Sequence, residues 1–223
     1  APYKFLEVLI TFPAIFMDLV SPHLSRAWAK QKIDNFKDYF QKAFDGLSII
    51  VWPMIAGVLV LAKPIMTLIA GSEFQSSSLV LQLLILATGI IFIAHLSTFA
   101  VVAINKQKQM MKYYVFAAVL ALVLYFSFVP EYSYYAAATI TIFIELLILI
   151  SSWLMVKKTI QQRHRDFKVS LARNFKSFLA ALIMAGSIYY LSWGLLASIL
   201  FGGLLYFILL LAFGAFDKKV ITS

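Results

Sequence analysis

The sequence predicts an all-α, polytopic membrane protein with about seven transmembrane helices, on three observations. Of the 223 residues, 62% are hydrophobic and 13% charged, with a mean hydropathy of +0.90, which is more apolar than a water-soluble domain of this length. The apolar residues are gathered into runs of membrane-crossing length. The basic residues concentrate in alternate links between those runs.

A span needs about 20 apolar residues, because the hydrocarbon core is ~30 Å thick and a helix rises ~1.5 Å per residue. Seven segments qualify or nearly so: 3–25, 47–69, 79–104, 113–129, 135–156, 175–191 and 195–216. The first is interrupted by Pro13 and Pro22 and carries Lys4, Glu7, Thr11 and Asp18. The second contains Pro53 and Gly57, a flexible point, with Lys63 placed to snorkel near its end. The third holds Gln82, Thr88, His95, Ser97 and Thr98, which share no single stripe. The fifth aligns Thr141, Glu145 and Ser152 on one face. The sixth is short and stops at Ser192-Trp193-Gly194, so it reads as one arm of a tight hairpin with the seventh. Gly194, Ser198 and Gly202 lie four apart there, a small-residue face for close helix contact. Residues 1–158 thus form one unit of about five spans, and residues 159–223 a basic link and a terminal hairpin. The chain starts at Ala1 without a signal-peptide pattern, and it reads as a piece of a longer polytopic protein.

Charge placement supports this order. Arg26, Lys30, Lys32, Lys37 and Lys42 follow the first span, and Lys106, Lys108 and Lys112 the third. Lys157, Lys158, Arg163, Arg165, Lys168, Arg173 and Lys176 follow the fifth, and Lys218 and Lys219 the seventh. Only Lys4 and Lys63 lie toward the other side, where the links carry Glu73 and Glu131. Basic loops stay in the cytoplasm, so residue 1 is expected outside and the C-terminus in the cytoplasm of a cell (inner) membrane. The net charge of +9 is then topological. No compact basic domain exists to hold nucleic acid, which is not expected as a partner. The first basic link repeats Phe36, Phe40 and Phe44 every four residues. That pattern predicts a helix lying in the membrane interface. The plainer alternative is a connector that packs its aromatics against the bundle. The link after the fifth span is expected to touch anionic membrane lipid.

Enzymatic signatures are missing. The sequence has no Cys, no phosphate-binding GxxxxGK[ST] loop, no HExxH and no Ser nucleophile elbow. His23, His95 and His164 show no metal-ligand spacing. No catalytic residue, metal or cofactor is expected. Seven spans with an outer start also match rhodopsin-like receptors, but the last span has no Lys for retinal.

The informative residues are polar groups at membrane depth, which cost roughly 2.5–3.5 kcal/mol to insert and usually face a bundle interior or a wet cavity. Glu7 and Asp18 are eleven residues apart, close to three turns at about 100° per residue, so they share a stripe. Thr11 falls near that stripe and Lys4 within about 60° of Glu7. Such a face suits the wall of a pathway. The structural alternatives are a hydrated Glu7 at the outer edge, an Asp18 that steadies the helix end near Pro22, and a Glu145 that hydrogen-bonds between helices.

Several stretches then match one family in order. "APYKFLEVLITFPAIFMDLVSPHLSRAW" resembles the eighth helix of polysaccharide transporters of the O-antigen flippase type. "LAKPIMTLIAGSEFQSSSLVLQLLILA" resembles the following loop and the Ser-rich start of the tenth helix, and "AINKQKQMMKY" the short basic turn after it. "VPEYSYYAAATITIFIELLILI" resembles the lead into the twelfth helix with its Glu. The likeness covers residues 1 to about 158; the last hairpin matches only in length and character. The family belongs to the multidrug/oligosaccharidyl-lipid/polysaccharide exporter superfamily. The resemblance implies the second helical bundle of a flippase-type fold plus a terminal helix pair, partnered by the N-terminal half. It implies a glycan on an isoprenoid diphosphate as cargo, and alternating access driven by an ion gradient or membrane potential. Lys4, Glu7, Thr11, Asp18 and Glu145 are the candidates to touch cargo or coupling ion. A drug or metabolite antiporter of the same superfamily and a non-transporting membrane scaffold are the alternative readings.

Overall fold

A computed structural model describes residues 2–163, 167–191 and 193–215, with the side chains of 2–8, 10, 76 and 163 outside that description. The described residues form α1 (Pro2–Ala29), α2 (Ile33–Ala70), a 3-10 turn (Ser72–Ser77), α3 (Ser78–Ala103), α4 (Gln107–Arg163), α5 (Ala172–Leu191) and α6 (Leu195–Ala212). Four are long and apolar enough to cross a membrane: α2, α3, α4 over Gln107–Gln162, and α6. The protein is an all-helical, multi-pass membrane protein.

The seven expected spans correspond to six helices, because segments 113–129 and 135–156 both belong to α4. Pro130 sits inside α4, and the helix is broken three residues later at Ser133, where φ is 53° and ψ −136°. Across that break the Tyr125 and Thr141 hydroxyls are 3.1 Å apart although 16 residues separate them. In a straight helix they would lie ~24 Å apart. The chain therefore folds back at Ser133, and α4 is a helical hairpin with two arms side by side.

The first basic link also departs from expectation. It does not form a separate helix in the interface; it is the first half of α2, continuous with the span that follows. Phe36 and Phe40 are fully buried and Phe44 nearly so. The Phe40 ring meets Trp153 edge-on at 5.4 Å and Phe167 at 5.6 Å. The four-residue repeat marked a core stripe, and periodicity alone cannot tell a face covered by protein from one covered by lipid.

Three helices end by the same device. Gln31, Asn105 and Gly214 adopt positive φ. The next N–H then reaches back to the carbonyl of Ala27, Val101 or Leu210, at 2.9, 3.0 and 3.0 Å, which satisfies a terminal carbonyl of α1, α3 and α6.

Two hydrophobic cores result. One joins α1, the first half of α2, α3 and both ends of α4 through Leu24, Phe36, Leu96, Met110 and Ile160. The other joins the second half of α2, the start of α3, α5 and α6 through Ala62, Leu81, Met184 and Tyr206. α3 packs against both α1 and α4, and α5 against both α2 and α6. Close contact is set by glycines: a Cβ on Gly89 would collide with the Ile55 side chain, and one on Gly202 would come within 2.6 Å of Ile188 Cδ1. Of the three-residue small stripe, Ser198 and Gly202 are buried at the α5–α6 seam, whereas Gly194 caps the helix in open space.

Candidate functional site

α1 buries one side and leaves the other open. Pro13, Met17, Leu24, Ala27 and Trp28 face inward, with Phe12 reaching across to stack on Phe92 of α3 at 6.5 Å. Thr11, Phe12, Ile15, Asp18, Leu19 and Pro22 are exposed. Their spacing traces one helical stripe, and the described chain supplies no helix to cover it. Thr11 and Asp18 are thus brought onto one open, mostly apolar face. The side chains of Lys4 and Glu7 lie outside the described residues; position 7 stands four residues before Thr11 and falls on the same register.

Glu145 stands apart from this face. It lies on the second arm of α4, half-buried, between Thr141, which meets Tyr125 of the first arm, and Ser152, whose hydroxyl is 2.6 Å from that of Ser97 on α3. The polar stripe of this arm is therefore a seam that ties α4 together and to α3. His95 bonds to the Ile91 carbonyl of its own helix at 3.0 Å and stacks on Phe99, a packed histidine.

In the sequence Arg173 is one topological charge among many. The structure gives it a partner. Its Nη1 donates to Asp45 Oδ2 at 2.9 Å, and that carboxylate is 7% exposed. Gln41 Nε2 donates to Asp45 Oδ1 at 2.8 Å. Gln41 also clasps the backbone of Ser170 in both directions, at 2.7 and 3.0 Å. Asn174 completes the joint by donating to Ser48 Oγ at 2.8 Å. This polar joint holds the chain entering α5 against α2. The one signal in the sequence is an acidic residue, Asp45, four residues after Gln41 within the basic link itself.

Two carbonyls of α2 also accept from side chains across the bundle. Gln82 of α3 donates to the Leu59 carbonyl of α2 at 2.8 Å, and Tyr206 of α6 donates to that of Ile49 at 2.8 Å. Between α2 and the α5–α6 pair runs an apolar groove of about 240 Å³, lined by Pro53, Gly57, Met184 and Ile188.

No family model and no curated protein sequence matches the chain. Among solved structures it is similar to a lipid II flippase, MurJ, in an inward closed conformation, with a TM-score of 0.73 and 20% sequence identity. The match covers 93% of this chain, and the chain spans 45% of that protein's length. The described helices are arranged as in the matching part of that protein's fold.

Proposed function

We propose that this chain is one lobe of a membrane transporter that flips a lipid-linked precursor. The observation that carries the reading is the open face of α1, where Thr11 and Asp18 stand exposed in an otherwise apolar stripe. A carboxylate at membrane depth is retained where it faces water or a polar ligand, and an uncovered helix face that carries one suits a cavity closed by a second lobe. The flippase-type fold supports the same reading. Residues 1–158 form the lobe, and residues 159–223 a terminal pair held on it.

The cargo is a glycan on an isoprenoid diphosphate, of the polysaccharide-precursor class. Its sugar head crosses between the lobes while the lipid stays in the bilayer. Lys4, Glu7, Thr11 and Asp18 line the passage: carboxylates there bind a coupling cation or proton, or accept from sugar hydroxyls, and Lys4 meets a phosphate near the outer mouth. Glu145 serves as a second coupling group. Transport proceeds by alternating access driven by an ion gradient or membrane potential, in the cell membrane, with the basic links in the cytoplasm.

The test uses the full-length protein. Glu7→Gln and Asp18→Asn, each at normal expression, should lower surface glycan export severalfold. Cysteine placed at Thr11 should react with a water-soluble thiol reagent. Full export in both variants, together with an unreactive cysteine, would leave a scaffold as the better reading. Intact export with new drug sensitivity would favour an antiporter.

A further inference from the structure

The two arms of α4 leave between them a cavity of about 420 Å³ at the end of the bundle where the basic links meet. Lys106 and Lys158 line it, one from the turn into the first arm and one from the end of the second. Gln109, Ser151 and Gln162 add polar groups beside them. Among the described residues, no carboxylate lines this cavity and neither lysine has an ion-pair partner. The hairpin thus brings together two cations from distant parts of the sequence without supplying an anion.

The Lys106 backbone is pinned. Its N–H reaches the Val101 carbonyl at 3.0 Å, and its own carbonyl accepts from Gln109 and Met110 at 3.0 Å each. The lysine is therefore held at the cavity by the junction of α3 and α4, with only its side chain free to adjust.

The walls above the lysines are apolar and open. Gln109, Tyr113 and Phe116 follow one another on the first arm at spacings of four and three, and Lys158, Leu154 and Ile150 on the second at spacings of four. Tyr113, Phe116, Ile150 and Leu154 are all about half exposed, at 45%, 58%, 54% and 56%. Each stripe runs from a polar group at the cavity into bare hydrocarbon along the arm. A soluble anion would use only the lower half of this surface. An amphipathic one would use both.

We propose that this cavity binds the phosphate of an anionic phospholipid headgroup between Lys106 and Lys158, with the lipid chains lying along the two apolar stripes. The site is separate from the open face of α1 and does not depend on the transport reading.

The experiment is native mass spectrometry of the full-length protein titrated with phosphatidylglycerol or phosphatidylcholine. Replacing both lysines, Lys106→Gln with Lys158→Gln, should weaken phosphatidylglycerol binding by about tenfold or more and leave phosphatidylcholine binding unchanged. The double Lys→Arg variant should retain binding, and Lys42→Gln, on a surface pair with Asp38, should have no effect. Equal phosphatidylglycerol binding by parent and double Gln variant overturns the site. Displacement of the lipid by excess inorganic phosphate overturns the lipid assignment in favour of a soluble phosphate compound. Should the double variant fail to fold, the exposed Lys158→Gln alone is read, with a loss of about threefold or more expected and no loss overturning the proposal.

Discussion

The hydroxyl of Tyr206 donates to the backbone carbonyl of Ile49 at 2.8 Å, joining α6 to α2. The reason lies four residues further along α2. Pro53 has no N–H, so the Ile49 carbonyl has no partner within its own helix. In the bilayer such a carbonyl must be satisfied by protein or water. Tyr206→Phe should therefore destabilise the full-length protein by about 1–3 kcal/mol, read as a fall in thermal unfolding temperature. In a Pro53→Ala background the restored N–H supplies the carbonyl, and the same Tyr206→Phe change should cost clearly less. Equal losses in both backgrounds would refute the pairing.

The joint between α2 and the start of α5 should respond asymmetrically. Asp45 is 7% exposed and Arg173 35%. Arg173→Ala takes the guanidinium away from a buried carboxylate that Gln41 also reaches, and should cost about 2–4 kcal/mol. Asp45→Ala leaves the more exposed of the two groups, the guanidinium, and should cost less. Thermal unfolding of both variants measures the difference, and the reverse order would sink this account of the joint.

At the α5–α6 seam, Gly202 is held against Ile188 and Met184. The nearest atom to an added Cβ is Ile188 Cδ1 at 2.6 Å, the mobile end of a side chain. Gly202→Ala should thus be mild, while Gly202→Val should cost about 1–3 kcal/mol by overpacking. Ile188→Val removes the colliding carbon and should recover part of the loss from Gly202→Ala. No recovery would mean that backbone, not Ile188, limits the approach.

Glu145 tests coupling against mere contact. It has no hydrogen bond or ion pair with the described residues, although Thr141 and Ser152 on its stripe are bonded across the seam. Glu145→Gln keeps the shape and removes the charge that is costly at membrane depth. Unfolding temperature should stay the same or rise, while export falls severalfold. A variant that exports normally would make Glu145 structural.

Much of the helical plan was legible. α5 ends at Leu191 and α6 begins at Leu195, the limits that the sequence predicts for the terminal hairpin. The stripe carrying Thr11 and Asp18 followed from helical spacing alone. The fate of Phe36, Phe40 and Phe44 did not, since lipid and protein are equally apolar covers for such a face. The Lys106–Lys158 cavity was also hidden, because both lysines read as ordinary orientation charges until the fold at Ser133 set them together.

The sequence by itself determined that this is a helical membrane protein, where its apolar helices run, and which residues share a face of each. Those properties are local: they depend on hydrophobic length, a period of 3.6 residues and the alternation of charge across successive links. Only the tertiary structure decided what each face meets. The clasp of Gln41 on Ser170 spans 129 residues, the rescue of Ile49 by Tyr206 spans 157, and the pairing of the α4 arms turns on one non-helical residue. Contacts of that range arise when helices already formed find complementary shapes and unsatisfied polar groups on one another, and no local rule encodes which partner they find.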